Sequence, residues 1–237
     1  MFNAPQLSAL LGIAVLTAGI HAAPLQIDFG ADAGTQAGWE GLGGTADGSS
    51  QSGTFSGYTD LAIGDIDVAL TGLEFNRRHN NGNSNVDFPG TDLDAMYGDM
   101  LFRNDDGATV NVTISGLQAG TYSITVHSLI DTSAPGKFDL NVQDANSPAF
   151  GQSVEDDVDQ GTGNASTFSP NVITFEVVSN GTDDIILQMV QGTVTTSGGT
   201  TGGWFGYSGL EIEVVPEPSS LALLGLGALM IAGRRRG

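Results

Sequence analysis

The densest group of side chains able to do chemistry is a run of carboxylates in the second half of the chain, Glu155-Asp156-Asp157-Val158-Asp159. Carboxylate oxygens are the ligands that Ca²⁺ prefers, and Ca²⁺ is abundant outside the cell. Asp156, Asp157 and Asp159 are therefore candidate Ca²⁺ ligands. Their spacing does not match the EF-hand loop, and a solvated acidic loop is the alternative interpretation. We expect no other cofactor.

A second set of candidates combines aromatic rings with guanidinium groups. Aromatic faces stack on sugar rings, while polar and charged groups hydrogen-bond to hydroxyls and fix the orientation of a ligand. Trp39 and Trp204 offer such faces, and Arg77 and Arg78 lie in a polar stretch that offers the hydrogen bonds. These four residues are the candidate ligand-binding residues. The alternative is that the two tryptophans fill the core or brace loops.

The motifs of common hydrolases are missing from the sequence. The stretch Gly206-Tyr207-Ser208-Gly209 lacks the Gly-x-Ser-x-Gly frame, and no His pair has metalloprotease spacing. His127 follows an alternating apolar series, so we expect it on the opposite, polar face of its strand. We predict no enzyme. A polysaccharide-acting enzyme is an alternative, because glycoside hydrolysis needs only two facing carboxylates, and the sequence does not identify such a pair.

Composition narrows the possible partners. The 237 residues carry 27 acidic and 7 basic side chains, and three of those basic residues are the arginines at the C-terminus. We expect no nucleic acid binding, because contacts with phosphate groups need a basic face. The chain has no Cys, which excludes disulfides and thiolate metal sites. High Gly content with few charges is typical of a loop-rich all-β extracellular domain.

Apolar residues alternate with polar ones in many short stretches, which predicts an all-β sandwich of eight to ten strands. The strands are expected around Leu25–Phe29, Ile66–Leu70, Val110–Ile114, Tyr122–Val126, Phe138–Val142, Val172–Val178, Ile185–Val190 and Tyr207–Val215. We expect the third and fourth of these to form a hairpin through the turn Ser115–Gly120.

The remaining stretches of the body have turn and loop chemistry. We expect a loop with one short strand at Gly53–Phe55, a polar excursion at Arg77–Gly90, one short helix at Asp92–Met100 and a Thr/Gly loop at Thr193–Gly203.

Several short motifs of the body occur in an order that resembles galactose-binding-like jelly rolls. They are Asp28-Phe29-Gly30, Gly38-Trp39, the run from Ile114 to Tyr122, and Gly209-Leu210-Glu211-Ile212. Malectin-like domains and related carbohydrate-binding modules share that fold. The resemblance implies a jelly-roll β-sandwich, and it adds polysaccharide to the expected partners.

Both ends of the chain carry apolar segments that predict export. The first runs from Leu7 to Ile20 and precedes Ala22, which is typical of a signal peptide at 1–22 with cleavage after Ala22, although no basic residue precedes the segment. The second, Leu221–Ala232, is shorter than the roughly 20 residues of a full membrane span. It ends at Arg234, Arg235 and Arg236, so we expect a single transmembrane helix with a cytoplasmic C-terminus.

The tail at 215–237 resembles the PEP-CTERM sorting signal of Gram-negative bacteria. Val215-Pro216-Glu217-Pro218, a short membrane helix and a final Arg cluster stand in the order and spacing of that signal. The resemblance implies processing by exosortase, a membrane-embedded protease or transpeptidase, and transient membrane attachment. We therefore expect an exported protein of the cell envelope, outer surface or extracellular matrix. Its β-sandwich at 24–214 would bind exopolysaccharide, or serve as a structural or adhesive matrix domain without a pocket.

Overall fold

The structure is a computed structural model of the chain. It describes residues 23–29, 36–42, 51–60, 63–73, 75–78, 96, 99–103, 109–129, 137–150, 152–159, 162–164, 167–192, 194–196, 199–201 and 205–216. The predicted signal peptide at 1–22 and the tail from residue 217 onward lie outside these ranges. Within them, no helix is long and apolar enough to cross a membrane.

Almost all of the described residues lie in β-strands, which confirms the predicted all-β class. In chain order the strands are β1 (Leu25–Asp28), β2 (Glu40–Gly41), β3 (Gln51–Asp60), β4 (Gly64–Leu73), β5 (Phe75–Arg78), β6 (Asp99–Arg103), β7 (Thr109–Leu117), β8 (Gly120–Ser128), β9 (Lys137–Gln143), β10 (Gln152–Asp159), β11 (Thr162–Asn164), β12 (Thr167–Ser169), β13 (Asn171–Ser179), β14 (Ile185–Gln191), β15 (Val194–Thr196), β16 (Gly199–Thr201), β17 (Phe205–Tyr207) and β18 (Gly209–Val214).

Two sheets make the sandwich. The first, sheet A, has the order β13-β8-β18-β1-β2, and all neighbours are antiparallel except β1 and β2. The second, sheet B, has the order β10-β9-β14-β7-β4-β3 and is antiparallel throughout. Three small sheets accompany them, formed by β11 with β12, by β15 with β16, and by β17, β6 and β5.

The core lies between the two sheets because alternate side chains of each strand point to the same face. Ile124 and Val126 of β8 and Ile212 of β18 come from sheet A, and Val112 of β7 and Leu187 of β14 come from sheet B. All five are fully buried. Burying such a side chain stabilises the fold by about 2 kcal/mol each, so the alternating pattern supplies the main driving force for this sandwich.

The predicted hairpin between β7 and β8 is wrong. The two strands are consecutive, but β7 pairs with β4 and β14 in sheet B, while β8 pairs with β13 and β18 in sheet A. The connection is an arch that crosses the sandwich, so both strands present their apolar faces to one core from opposite sides. The Tyr122 hydroxyl donates a 2.9 Å hydrogen bond to the Gln118 carbonyl and holds the arch, as in a tyrosine corner.

A second arch joins β13 to β14, which also lie in different sheets. The turn begins at Asn180, whose side-chain oxygen accepts hydrogen bonds from the backbone N–H groups of Thr182 and Asp183. The Ser179 hydroxyl donates to the carbonyl of Leu117 at 3.1 Å. The two arches are therefore bonded side by side at one end of the sandwich.

Four further local predictions need correction. Arg77 and Arg78 belong to β5 rather than to a polar loop, since they pair with Met100 and Asp99. Asp99 and Met100 begin β6, so the helix predicted at Asp92–Met100 is wrong at its C-terminal end. Met96 is helical, and residues 92–95, 97 and 98 lie outside the described residues. The strand predicted at Gly53–Phe55 is the longer β3, and the Thr193–Gly203 loop contains the paired β15 and β16. The secondary structure of these segments depends on their cross-strand partners, which the composition of a segment does not reveal.

Gly116 allows β7 to lie close against β4 and yields a stability prediction. Its φ is +82°, and a Cβ there would overlap with the Asp65 carbonyl oxygen of the adjacent strand. Gly57 has the same φ with nothing near a Cβ. We expect Gly116→Ala to lower the free energy of unfolding by about 3 kcal/mol or more, and Gly57→Ala by only about 1 kcal/mol. Urea unfolding of both variants measures the difference, and equal losses would contradict the close approach.

Candidate functional site

A groove lies at one open side of the sandwich, where the edge strand β13 of sheet A faces β9 and the edge strand β10 of sheet B. It has a volume of about 240 Å³ and is lined by Val142, Asp144, Ser147, Ser153, Val154, Phe175 and Glu176. Val142, Val154 and Phe175 form an apolar floor that is continuous with the core. The other four residues supply carboxylate and hydroxyl groups at the rim.

Asp144 fixes the turn that closes one end of this groove. One carboxylate oxygen accepts hydrogen bonds from the backbone N–H groups of Asn146 at 2.9 Å and Ser147 at 2.7 Å. The other accepts from the N–H of Val178 in β13 at 2.8 Å. The N–H of Ala145 in turn donates to the Val178 carbonyl at 3.0 Å. The turn after β9 is thereby tied to the facing sheet, which sets the width of the groove.

The groove offers the mixture of surfaces that a sugar needs. Pyranose rings have apolar C–H faces and a polar edge of hydroxyls, and binding sites combine an apolar lining with a few polar groups. Here the floor is apolar, Glu176 is exposed at the rim, and Ser147 and Ser153 carry hydroxyls. Phe150, in the segment between the turn and β10, is 37% exposed.

A second polar cluster lies on the outer face of sheet A, centred on Glu211 of β18. One carboxylate oxygen is 2.7 Å from Nε2 of His127 in β8, and the other accepts a 2.8 Å hydrogen bond from the side-chain amide of Gln26 in β1. Because an ionised carboxylate can only accept, His127 donates from Nε2. The His127 side chain is only 5% exposed and that of Glu211 is 25% exposed. The predicted polar-face position of His127 fits this arrangement.

The surroundings of Glu211 favour its ionised form. The hydrogen bond from His127 is the largest cause that lowers the pKa of Glu211 below its ordinary value. Burial raises the same pKa, while the Gln26 bond and the charge of His127 lower it further. Three neighbouring strands are therefore cross-linked through one carboxylate.

Trp39 covers the His127 end of this cluster. Its ring packs edge-on against the imidazole, with 5.6 Å between ring centroids and an interplanar angle of 73°. It also lies over Gly209 of β18, where a Cβ would come within 3.0 Å of the indole. The ring is 8% exposed. Asp28, at the end of β1, anchors the preceding segment, since its carboxylate accepts a 2.7 Å hydrogen bond from the N–H of Gln36.

The remaining predicted site residues are dispersed. Arg77 and Arg78 lie in β5, and Asp156, Asp157 and Asp159 lie in the edge strand β10, whose pairing with β9 shifts register twice. The side chains of these five, and Trp204 entirely, are outside what the structure describes. The same holds for Ala22, Glu217, Pro218 and Arg234–Arg236, whereas Val215 and the exposed Pro216 follow β18 directly. Among the described side chains, no group of three or more His, Asp or Glu is placed to hold a metal ion. Ca²⁺ binding at β10 thus stays a prediction.

The groove itself was not predicted from the sequence. Phe175 lies in the predicted strand Val172–Val178, whereas no strand was predicted at Val154, and both side chains are partly buried against the core. The one local indication was the Asp144-Ala145-Asn146-Ser147 stretch, whose residue types favour an Asx turn. That β13 faces β10 follows from the strand order alone.

The Glu211 cluster predicts a pH dependence of stability. Because the pKa of Glu211 is lower in the folded than in the unfolded chain, its contribution is present above the ordinary Glu value of about 4.3 and is lost as pH falls through the lower folded pKa. We expect Glu211→Gln to flatten the dependence of the unfolding free energy on pH below about 4.5. Glu213→Gln removes the same charge from the same face and is the control; equal flattening in both variants would contradict the role of His127.

Comparison with known proteins adds two findings. A family model described as the PEP-CTERM protein-sorting motif matches residues 214–236. Curated proteins give no significant match to the sequence.

Solved structures with a similar arrangement of strands are distant in sequence. A family 35 carbohydrate binding module from Clostridium thermocellum is 13% identical, with 61% of this chain and 90% of that chain covered and a TM-score of 0.33. The ANXUR2 extracellular domain from Arabidopsis thaliana is 13% identical, with 71% and 50% covered and a TM-score of 0.42. TmCBM61 in complex with β-1,4-galactotriose is 15% identical, with 50% and 72% covered and a TM-score of 0.33.

The motif match begins at the last residue of β18 and agrees with the Pro-Glu-Pro, apolar and arginine segments of the tail. The chain therefore carries a PEP-CTERM protein-sorting motif at its C-terminus, directly after a body of two β-sheets.

Proposed function

We propose that this protein is exported, held transiently by its C-terminal tail, and binds polysaccharide of the cell envelope or extracellular matrix through the groove between β10 and β13. The observation that carries the binding part is the groove itself, with an apolar floor and a carboxylate and hydroxyl rim. Its volume of about 240 Å³ is smaller than a pocket for a drug-sized ligand. It therefore suits one sugar unit of an extended polymer rather than a free small molecule.

Binding is better supported than hydrolysis at this groove. Hydrolysis by the common two-carboxylate mechanism needs an acid and a base or nucleophile on opposite sides of the scissile bond. The groove has two carboxylates, but Asp144 is engaged by three backbone N–H groups that hold the turn. Glu176 is left as the carboxylate that can meet a ligand.

The ligand-binding and Ca²⁺-binding residues predicted from the sequence have a secondary place in this proposal. Trp39 is nearly covered, so little of its surface is available to a ligand. Arg77 and Arg78 lie in β5, within the small sheet of β17, β6 and β5, and Trp204 directly precedes β17 in the sequence. Contact of these residues with polysaccharide, and Ca²⁺ binding by Asp156, Asp157 and Asp159, are secondary proposals that the same assay can test.

The binding proposal predicts loss of affinity on changing the rim. In affinity electrophoresis against a panel of bacterial and plant polysaccharides, with and without Ca²⁺, we expect retardation by at least one polymer. Glu176→Ala should weaken that binding about tenfold or more, because a hydrogen bond to a charged group is worth roughly 1.5–3 kcal/mol. Ser147→Trp should block the groove sterically while keeping the backbone N–H that Asp144 accepts.

Glu213→Ala is the matched control, since it removes the same charge from the same sheet two strands away from Glu176. If neither the unmodified protein nor the Glu213→Ala control binds any polymer, the polysaccharide-binding proposal is wrong. That result would leave the alternative of a structural or adhesive matrix protein.

The sorting part predicts a change in processing. Glu217→Ala, or deletion of Arg234–Arg236, should leave an unprocessed, membrane-associated species, because the tail then lacks one of the three parts of its motif. Immunoblotting of membrane and extracellular fractions from an exosortase-bearing bacterium measures this. A normal yield of processed, exported protein from both variants would contradict recognition of the tail by exosortase.

A further inference from the structure

The sorting motif and the folded body share residues. The motif match begins at Val214, which is the last residue of β18 and pairs with Tyr122 of β8. The next residue, Val215, donates its N–H to the carbonyl of Thr121 at 2.9 Å. Pro216 has no N–H and cannot continue the ladder. The boundary between fold and processing signal therefore lies between Val215 and Pro216.

The pairing of β18 is uneven along its length. From Gly209 to Ile212 the strand is bonded on both sides, to β8 and to β1. The described ladder with β1 ends at the pair Leu25 and Ile212, whereas the ladder with β8 continues through Glu213 and Val214 to the N–H of Val215. Opening these three residues breaks one short ladder, whereas opening any further breaks two ladders and uncovers the core residue Ile212.

The body also sits close to the membrane while the tail is attached. Only Pro216 to Ser220 separate Val215 from the apolar run at Leu221, which spans at most about 17 Å. The end of the sandwich beside Val215 is made of the two arches, with Gln118, Ala119 and Asn180–Asp184 exposed. None of these is a large apolar side chain, so the described residues of this end form no surface suited to insertion into lipid.

We propose that the folded sandwich confines processing to peptide bonds after Val215, and that opening of Glu213–Val215 from β8 sets the rate of processing. The inference rests on the proposed recognition of the tail by exosortase. A peptidase that binds its substrate as an extended chain uses the backbone groups that a sheet also uses. Residues bonded within a sheet therefore become available only through local opening.

The step itself is breakage of one backbone C–N bond. The carbonyl carbon on the body side gains the oxygen of water, or the nitrogen of an amine acceptor if the enzyme is a transpeptidase. The tail leaves with a new amino group that takes the proton. The mass of the mature C-terminus distinguishes the two acceptors and locates the bond.

The first test uses the full-length chain in an exosortase-bearing bacterium and a variant with Gly-Ser-Gly-Ser-Gly-Ser-Val-Val inserted between Val215 and Pro216. In this variant Val214 and Val215 stay in the sheet, and the inserted Val-Val supplies the two residues that precede Pro216 in the motif. We expect the unmodified mature chain to end at Val215 or later, and pulse-chase labelling to show processing of the variant about fivefold faster or more. A mature chain that ends before Val215, or an insertion without effect on the rate, overturns the inference while sorting itself stands.

The second test removes only the last hydrogen bond. Val215→Pro eliminates the N–H that Thr121 accepts, and Val215→Ala keeps it while making a similar change in side-chain size. We expect Val215→Pro to be processed roughly fivefold faster than Val215→Ala. Equal rates overturn the gating by β8. Absence of any processed species from the unmodified chain overturns both this inference and the proposed sorting.

Discussion

The pairing of the first strand with the last is the constraint on which the rest of this structure depends. β1 and β18 are neighbours in sheet A, and the hydrogen bond between Gln26 and Glu211 joins residues 185 positions apart. β18 lies between β8 and β1, so the sheet is continuous only when the end of the chain is in place. Loop closure over such a distance costs entropy that must be offset by burial of Ile27, Leu210 and Ile212 between the sheets. Folding of sheet A therefore needs almost the whole body of the chain.

The register of that central strand connects the core to the outer-face cluster. Leu210 and Ile212 point inward, and Glu211 between them must point outward, where His127 and Gln26 meet its carboxylate. A slip of one residue would exchange the two faces and place the carboxylate in the apolar core. The cost of burying that charge is high, so Glu211 specifies the register as strongly as its apolar neighbours do. The same register brings Val215 opposite Thr121, which fixes where the fold ends.

The sequence predicts which face of a strand is buried better than it predicts which strands pair. Period-two alternation located β1, β4, β9, β13, β14 and most of β18, because burial of alternate side chains is a local property. It could not tell an arch from a hairpin at Ser115–Gly120, since both need a turn and both bury Ile114 and Ile124. The strand partners decide for the arch, since β7 pairs with β4 and β14 in one sheet and β8 pairs with β13 and β18 in the other, and all four partners are distant in sequence. For the same reason the contact of Trp39 with His127 has no local pattern.

The groove lies between two open edges of the sandwich, one of which is rich in acidic residues. β10 and β13 are edge strands, and a strand with unpaired backbone groups is a template for pairing with other chains. Four of the eight residues in β10 are acidic, and two register shifts interrupt its ladder with β9. Both features oppose addition of a further strand, because an incoming chain would meet concentrated negative charge and an irregular edge. The proposed polysaccharide ligand brings hydroxyls instead of a peptide ladder, so the features that oppose addition of a strand do not oppose its binding.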